Sequence, residues 1–593
     1  MGLLTTRTSA RRLAALLALA ALIALAGPAR ARAARDQPNP EVPVVVTVSS
    51  TPPVGRLLSS ERVLAIASTL GKMRAVRREH PGSYGVVYLK GTTRWQVSFF
   101  TRNGAKEIGL VILLDASGKV LEQWTGYQIA WTMARGYPGA FGEHVNALYL
   151  WLPLCVLFLL PFLNYSRPLS LHNLDLLALL SFSVSLAFFN HAHIYASVPL
   201  AYPPLLYLFL RMLALARPRL RPRARPRPDA PARSGGEPPL RLLVPAPVLA
   251  VGVVFLIGFR IGLNVSDSNV IDVGYAGVIG AQRITSEKPL YGHFPADNEH
   301  GDTYGPFNYE AYVPFEQLFG WGGTWDDLPA AHAAAIFFDL MSVALLFLLG
   351  RRMRGPTLGI ALSYAWVSYP FTLFALESNA NDSLVAVLVL AALLAGAYRG
   401  RVATGARGAA AALAGLSKFA PLALAPILAT HGMRELPGSQ PWRRVGALAL
   451  FAVAFAAVAA LALVPALSHD SLHRIYERTL LYQANRDSPF SVWGLYGWRG
   501  PELAVEVAAV VLAVALALVP RRADLVGLAA GCAAIVLALQ LGMEHWFYLY
   551  IPWFFPAVML ALLGRYGEPS RARAPDAASG PARSSLRAAA LST

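Results

Sequence analysis

The sequence predicts an all-α polytopic membrane protein with a small exported α+β domain at its N-terminus. Three observations carry this. Of the 593 residues, 55% are hydrophobic and only 15% charged, against roughly 25% charged in ordinary soluble domains. Apolar runs near the ~20 residues that cross a bilayer recur from Leu148 to Leu563. Arginine-rich loops alternate with acidic ones, the pattern that insertion imposes. Soluble globular and disordered classes are excluded. The net charge of +18 would point to nucleic acid if it formed one patch, but it is dealt out over alternate loops, so no nucleic-acid partner is expected. Cys155 and Cys532 fall inside apolar spans and imply neither a disulfide framework nor a thiolate metal site.

Arg7, Arg11 and Arg12 precede the apolar run Leu13 to Ala26 and the small residues of Ala29-Arg30-Ala31, the layout of a secretory signal, expected to be cut near residues 31–33. An uncleaved anchor over 1–33 is the alternative. Either way residues 36–145 are expected to be exported, and they alone have soluble-domain character. Ser60 can cap a helix running toward Arg78 with Val63, Leu64, Ile66, Ala67 and Leu70 on its apolar face. Strand-like runs follow at Gly85–Leu89, Trp95–Thr101, Ile108–Leu114 and, after the turn Asp115-Ala-Ser-Gly118, Val120–Trp124. In Trp95-Gln-Val-Ser-Phe99 and Asp115-Ala-Ser-Gly-Lys-Val120 the domain resembles a PepSY-type domain. It carries no nucleophile, base or phosphate-binding cluster and reads as an appendage dispensable for chemistry.

About eleven full spans are expected, at 147–165, 173–190, 195–214, 242–262, 333–350, 357–376, 383–398, 444–466, 503–520, 524–542 and 546–563. The first three (147–214) form an accessory group, and residues 242–563 form the main membrane region. Between them, residues 217–241 hold eight arginines among prolines, a cytoplasmic linker. The arginines at 351–352, 399–407, 434–444 and 521–522 and the tail 564–593 are expected on the same side. Residues 408–430 are apolar yet have basic, cytoplasmic flanks at both ends. Both flanks inside demands an even number of crossings, and 23 residues cannot make two spans. A re-entrant pair of half-helices with Lys418 at its tip satisfies both constraints.

The loop 263–330 holds ten acidic residues and two basic ones, Arg283 and Lys288. Its aromatics suit a membrane-interface belt or a sugar platform. Asp267 and Asp272 follow a span end, where a carboxylate can meet a membrane-bound substrate. His293, Asp297, Glu299, His300 and Asp302 are metal-ligand types whose spacing fits no zinc signature; no cofactor is expected, with a divalent ion the alternative. Asp339 lies inside a span, where it must find a partner or line a cavity.

Asp272-Val-Gly-Tyr275, Pro289-Leu-Tyr291-Gly292 and Tyr304-Gly-Pro-Phe-Asn-Tyr309 resemble the first outer loop of C-type (GT-C) glycosyltransferases, and most of all glycosyltransferase family 87, the polyprenyl-phosphate-mannose-dependent enzymes. Asn381-Asp382, Lys418-x-x-Pro421, Arg486-Asp-Ser-Pro-Phe490 and the His545-aromatic ending follow in order. The resemblance covers roughly 242–563. Tyr304-Gly305-Pro306 departs from the family's usual Tyr-Pro-Pro.

The resemblance implies a GT-C-like membrane enzyme, a multi-pass protein of the cell membrane with its active site on the extracytoplasmic face. It would move a sugar, mannose by the family's habit, from a polyprenyl-phosphate donor to an envelope glycan, lipid or protein acceptor. Such transfer needs a base for the acceptor hydroxyl and cations for the leaving phosphate, and inversion by single displacement needs one carboxylate rather than the glycosidase pair. Asp272 is the expected base with Asp267 beside it, Lys418 and Arg486 the phosphate cations, and Tyr275, Tyr291, Tyr304, Tyr309, Asp382 and His545 the substrate pocket. The rival class is a transporter or flippase of envelope precursors, which would need inverted repeats and a midplane site; the sequence contains no internal repeat.

Overall fold

The computed structural model describes residues 44–566 apart from 91–92, 103–106, 126–143, 191–192, 219–239, 241, 269, 296–297, 324, 326–327, 434–440, 485–487 and 489. The signal segment, most of the arginine-rich linker, Asp297 and Arg486 therefore lie outside the described residues.

Alternation of apolar residues gives the N-terminal domain its strands. β1 (Val44–Val46), β2 (Tyr84–Lys90), β3 (Arg94–Phe100), β4 (Glu107–Leu114) and β5 (Val120–Thr125) form one antiparallel meander in chain order. The four expected strands are present with boundaries moved by at most one residue; β1 is additional. Trp95, Val97, Phe99, Val111 and Leu113 face α1 (Ser60–Thr69) and α2 (Gly71–Glu79), packing on Val63, Ala67 and Met73. The expected single helix is two, broken at Leu70, whose backbone is extended. Ser59, not Ser60, is the cap, accepting from the Arg62 N–H; the Ser60 hydroxyl instead donates to Thr47 O and accepts from the Ser49 N–H, tying α1 to the segment after β1. Asp115 closes the domain, its carboxylate taking the Trp95 indole N–H at 2.6 Å and the backbone N–H groups of Leu57 and Leu58.

The membrane region is α3 (Leu148–Leu159), α4 (Leu171–Asn190), α5 (Ile194–Ala216), α6 (Ala246–Asp267), α7 (Asp272–Thr285), α8 (Pro329–Arg354), α9 (Pro356–Ser368), α10 (Pro370–Glu377), α11 (Asp382–Gly396), α12 (Arg401–Ser417), α13 (Ala425–Thr430), α14 (Pro441–Leu467), α15 (Arg499–Leu518), α16 (Leu525–Gly542) and α17 (Ile551–Leu563). Among the described residues seven of these, α4, α5, α6, α8, α14, α15 and α16, are long and apolar enough to cross a membrane, and α9 with α10, bent by 58°, is either one broken span or a re-entrant loop. α3, α11 and α17 are apolar but shorter; at 1.5 Å per residue α3 covers only about 18 Å of a ~30 Å hydrocarbon core.

Pro370 makes the bend, because it has no N–H for the carbonyl of Trp366. The Thr372 hydroxyl takes that carbonyl instead, and the next one, Val367 O, accepts from the Arg260 guanidinium. Arg260 is held in turn by Asp339, whose carboxylate also takes the Trp366 indole N–H at 2.7 Å. Asp339 is thus the counter-ion of a buried arginine rather than a cavity acid.

Residues 408–430, expected to form a re-entrant pair of half-helices, lie in a helical hairpin that spans 401–430. α12 runs to Ser417, Lys418 turns in extended backbone, and the chain returns through a 3₁₀ turn, Ala420–Leu424, into α13. The limbs lie side by side: Gly415 abuts Leu422, and at the open end the Arg407 guanidinium donates to His431 O at 3.3 Å.

Contacts sort the loops into two ends. At one, Arg354 donates to Gly564 O, Arg521 to Ile427 O, the Arg522 N–H to Ala216 O, and Arg211 and Arg565 flank Asp175. At the other, the Gly305 N–H donates to Ser417 O, Ile271 N–H to Ser378 O, Leu290 N–H to Asp470, and Ser488 meets His545. If the arginine end is cytoplasmic, then in a chain lacking Cys155 and Cys532 a single cysteine at Leu436 should react with an impermeant maleimide only from inside, and one at Glu287 only from outside. An outside label at 436 would refute the hairpin.

Candidate functional site

Five segments meet at the loop end around the hairpin tip. Lys418 is buried, and its Nζ donates to Asp382 Oδ1 at 2.6 Å. Asp382 is the first residue of α11, where the helix dipole favours a carboxylate, and it also accepts the Trp553 indole N–H at 2.8 Å. The rings of Tyr304, Tyr550 and Trp553 stand 5.1–5.4 Å from the ammonium, a range in which their quadrupoles attract it. The desolvation of a buried lysine is thus offset by one carboxylate and three rings.

Asp272 stands at the start of α7, which is joined to the turn before α11. The Asp272 Oδ1 accepts from the Val273 N–H at 2.7 Å, and the residue is partly exposed. The start of α7 is fastened to the turn that leads into Asp382: Ile271 N–H donates to Ser378 O, and Gly274 packs on Asn379 O so closely that a Cβ there would collide. The Asn379 side chain joins Asn264 and Ser268 at the end of α6. One turn, residues 378–382, therefore links the expected base to the partner of the expected phosphate cation.

The other expected site residues divide. Asp267, the last residue of α6, faces His144 at 3.4 Å. His545 takes a bond with Ser488 and lies 6.3 Å from the Tyr550 ring. Arg486, two residues before Ser488 in the chain, is outside the described residues. Tyr304 lies over Lys418, whereas Tyr275, Tyr291 and Tyr309 are fully buried. They pack in the core of the loop 263–330, with the Tyr291 hydroxyl on Tyr304 O and the Tyr309 hydroxyl on Gly301 O. Burial pushes both phenols far up, so neither ionises. Asp302, expected among metal-ligand types, forms an ion pair with Arg478 at 2.6 Å; His300 stacks on Tyr482, and His293 contacts Arg474. No group of three or more His, Cys, Asp or Glu gathers among the described residues.

Sequence reasoning missed the pairing of Lys418 with Asp382, its aromatic surround from Tyr550 and Trp553, and Glu310. Glu310 is half-buried in the outer loop with no partner for its Oε1, and burial pushes its carboxyl up to about 7. Two small apolar cavities lie beside the hairpin, one under Trp553 lined by Val385, Val389, Pro421 and Leu539, the other lined by Val389, Pro421, Leu424 and Cys532.

Residues 303–543 match the model of Glycosyltransferase family 87, which bears out the resemblance read from the motifs; Tyr304, Asp382 and Lys418 lie inside the match and Asp272 outside it. No curated protein matches the chain. Among solved structures it is similar to the crystal structure of ArnT from Cupriavidus metallidurans bound to undecaprenyl phosphate, at 18% identity and a TM-score of 0.36 over 54% of this chain and 60% of that one.

Two expectations follow from the electrostatics. Lys418→Met leaves the Asp382 charge buried and should destabilise the protein by about 3–5 kcal/mol, as loss of one partner of a buried pair does; Lys418→Met/Asp382→Asn should regain most of the thermal stability in detergent. Glu310 is neutral in both folded and unfolded chains below about pH 4.5, and as pH rises toward 7 the unfolded chain ionises first, so its contribution to stability is lost across that window. Glu310→Gln should therefore match the parent at pH 4.5 and melt higher at pH 8; equal melting at both would show that the carboxyl is not held neutral.

Proposed function

We propose that the protein is an integral membrane glycosyltransferase that moves a sugar, mannose by family resemblance, from a polyprenyl phosphate to an envelope glycan, lipid or protein acceptor on the extracytoplasmic face. The observation that carries this reading is a lysine at the tip of a re-entrant hairpin, at the loop end of the bundle and inside the segment that matches family 87. In this reading Asp272 accepts the proton of the acceptor hydroxyl. The acceptor oxygen forms a bond to the anomeric carbon as the bond from that carbon to the phosphate oxygen breaks, inverting the centre. The electron pair leaves with polyprenyl phosphate, whose charge Lys418 and Arg486 stabilise. Tyr304 and His545 face the sugar. Asp382 keeps Lys418 charged and aimed.

The test is side-by-side transfer of radiolabelled sugar from polyprenyl phosphate in membranes. Asp272→Asn should insert normally and lose a general-base factor of about 10²–10⁴, with Asp267→Asn doing less. Lys418→Met should lose about 10²–10³, and Lys418→Met/Asp382→Asn should stay slow although its stability returns. Activity in Asp272→Asn together with loss in Asp267→Asn would reassign the base; activity in all of them would remove the transferase reading.

A further inference from the structure

The centre of the exported sheet has no solvent face. Gln96 and Ser98 on β3, Leu110 and Ile112 on β4, and Trp124 on β5 lie in register on the side away from α1 and α2, and none is more than 1% exposed. What covers them is the outer loop: Leu110, Ile112 and Trp124 share one cluster with Tyr275, Trp325 and Leu328. Trp124 meets Trp325 edge-on, with centroids 3.9 Å apart, and Trp325 lies 4.4 Å from Tyr275. The Trp325 indole N–H donates to Val270 O at 2.7 Å. Val270 is two residues before Asp272 and Tyr275 three after it, so Trp325 holds the start of α7 on both sides of that carboxylate. Trp325 is itself backed by the exported sheet.

We infer that Trp124 and Trp325 are positioning residues, through which the docked exported domain fixes Asp272 relative to the Lys418–Asp382 pair. The inference rests on the reading of Asp272 as the base. It replaces the sequence expectation of a dispensable appendage: the domain acts on the chemical step, though none of its residues touches substrate. A base displaced by about 1 Å can cost up to about 10²-fold in rate while substrate binding persists.

The experiment is a double-mutant cycle on the full chain in membrane vesicles, with radiolabelled polyprenyl-phosphate mannose as donor. Trp124→Ala should lower kcat by about 10- to 100-fold at unchanged protein abundance, with donor KM within about twofold, and Trp124→Phe should restore most of it. In the Asp272→Asn background Trp124→Ala should have no further effect, because a base that is absent cannot be misplaced. Should Trp124→Ala not accumulate, Trp325→Phe, which keeps a ring and deletes the N–H to Val270, enters the same cycle. An unchanged kcat, or an equal loss in both backgrounds, would overturn the positioning role and leave the base assignment standing. Near-normal transfer by Asp272→Asn alone would instead remove the base assignment, and the inference with it.

Discussion

The buried bond between Lys418 and Asp382 is the contact on which the rest of the loop end depends. A helix broken at membrane depth strands backbone groups that lipid cannot satisfy, so such a break survives only inside protein or against water. Here the break also carries a cation, whose desolvation is offset by one carboxylate, three aromatic rings and the dipole of α11. The hairpin tip is therefore committed to a single position beside Asp382. Gly305 bonds to the tip at Ser417, and Asp302 and Asp470 then fasten the outer loop to the segment after α14 through Arg478 and the backbone of Leu290 and Tyr291.

The same solution recurs wherever a membrane helix is interrupted. The bend before Pro370 frees Val367 O, and Arg260 fills it under the control of Asp339. The last carbonyls of α13 are taken by Arg407 and Arg521, cations at a helix C-terminus where the dipole favours them. Arginine serves at these structural breaks because its planar fork bonds a carbonyl and a second group together. At the hairpin tip the residue is lysine, a compact point charge of the kind that binds phosphate. The difference in residue type sets the tip apart from the scaffolding cations, in keeping with the phosphate-binding role proposed for Lys418.

How much of this was legible in sequence follows from what periodicity encodes. The strands of the N-terminal domain were readable to within a residue because alternation in Trp95–Phe99 is local, and the hairpin was readable because basic flanks impose a parity on the crossings. Pro370 signalled the bend, yet a proline within an apolar run does not say which side chain will repair it, and Arg260 lies over a hundred positions away. Apolar alternation likewise says which face of a strand is buried and not what buries it. Gln96 and Ser98 alternate with the apolar residues of β3, yet both are buried. The tyrosines of that loop suit a sugar platform by composition alone; packing on Gly277 and Gly280 turns Tyr312 and Tyr309 inward instead.

The departure from the family's Tyr-Pro-Pro motif has its cause in the hairpin. Proline at position 305 would have no N–H to give Ser417 O, and any Cβ there would collide with Leu416 O. Glycine admits both the bond and the approach, although its φ of −67° is one that any residue can adopt, so the constraint is space and a donor rather than backbone freedom. Tyr304 is consequently laid over Lys418 by a direct suture of loop to hairpin. The substitution thus belongs to the geometry of the tip, and it makes the position of Tyr304 depend on Lys418 remaining where Asp382 holds it.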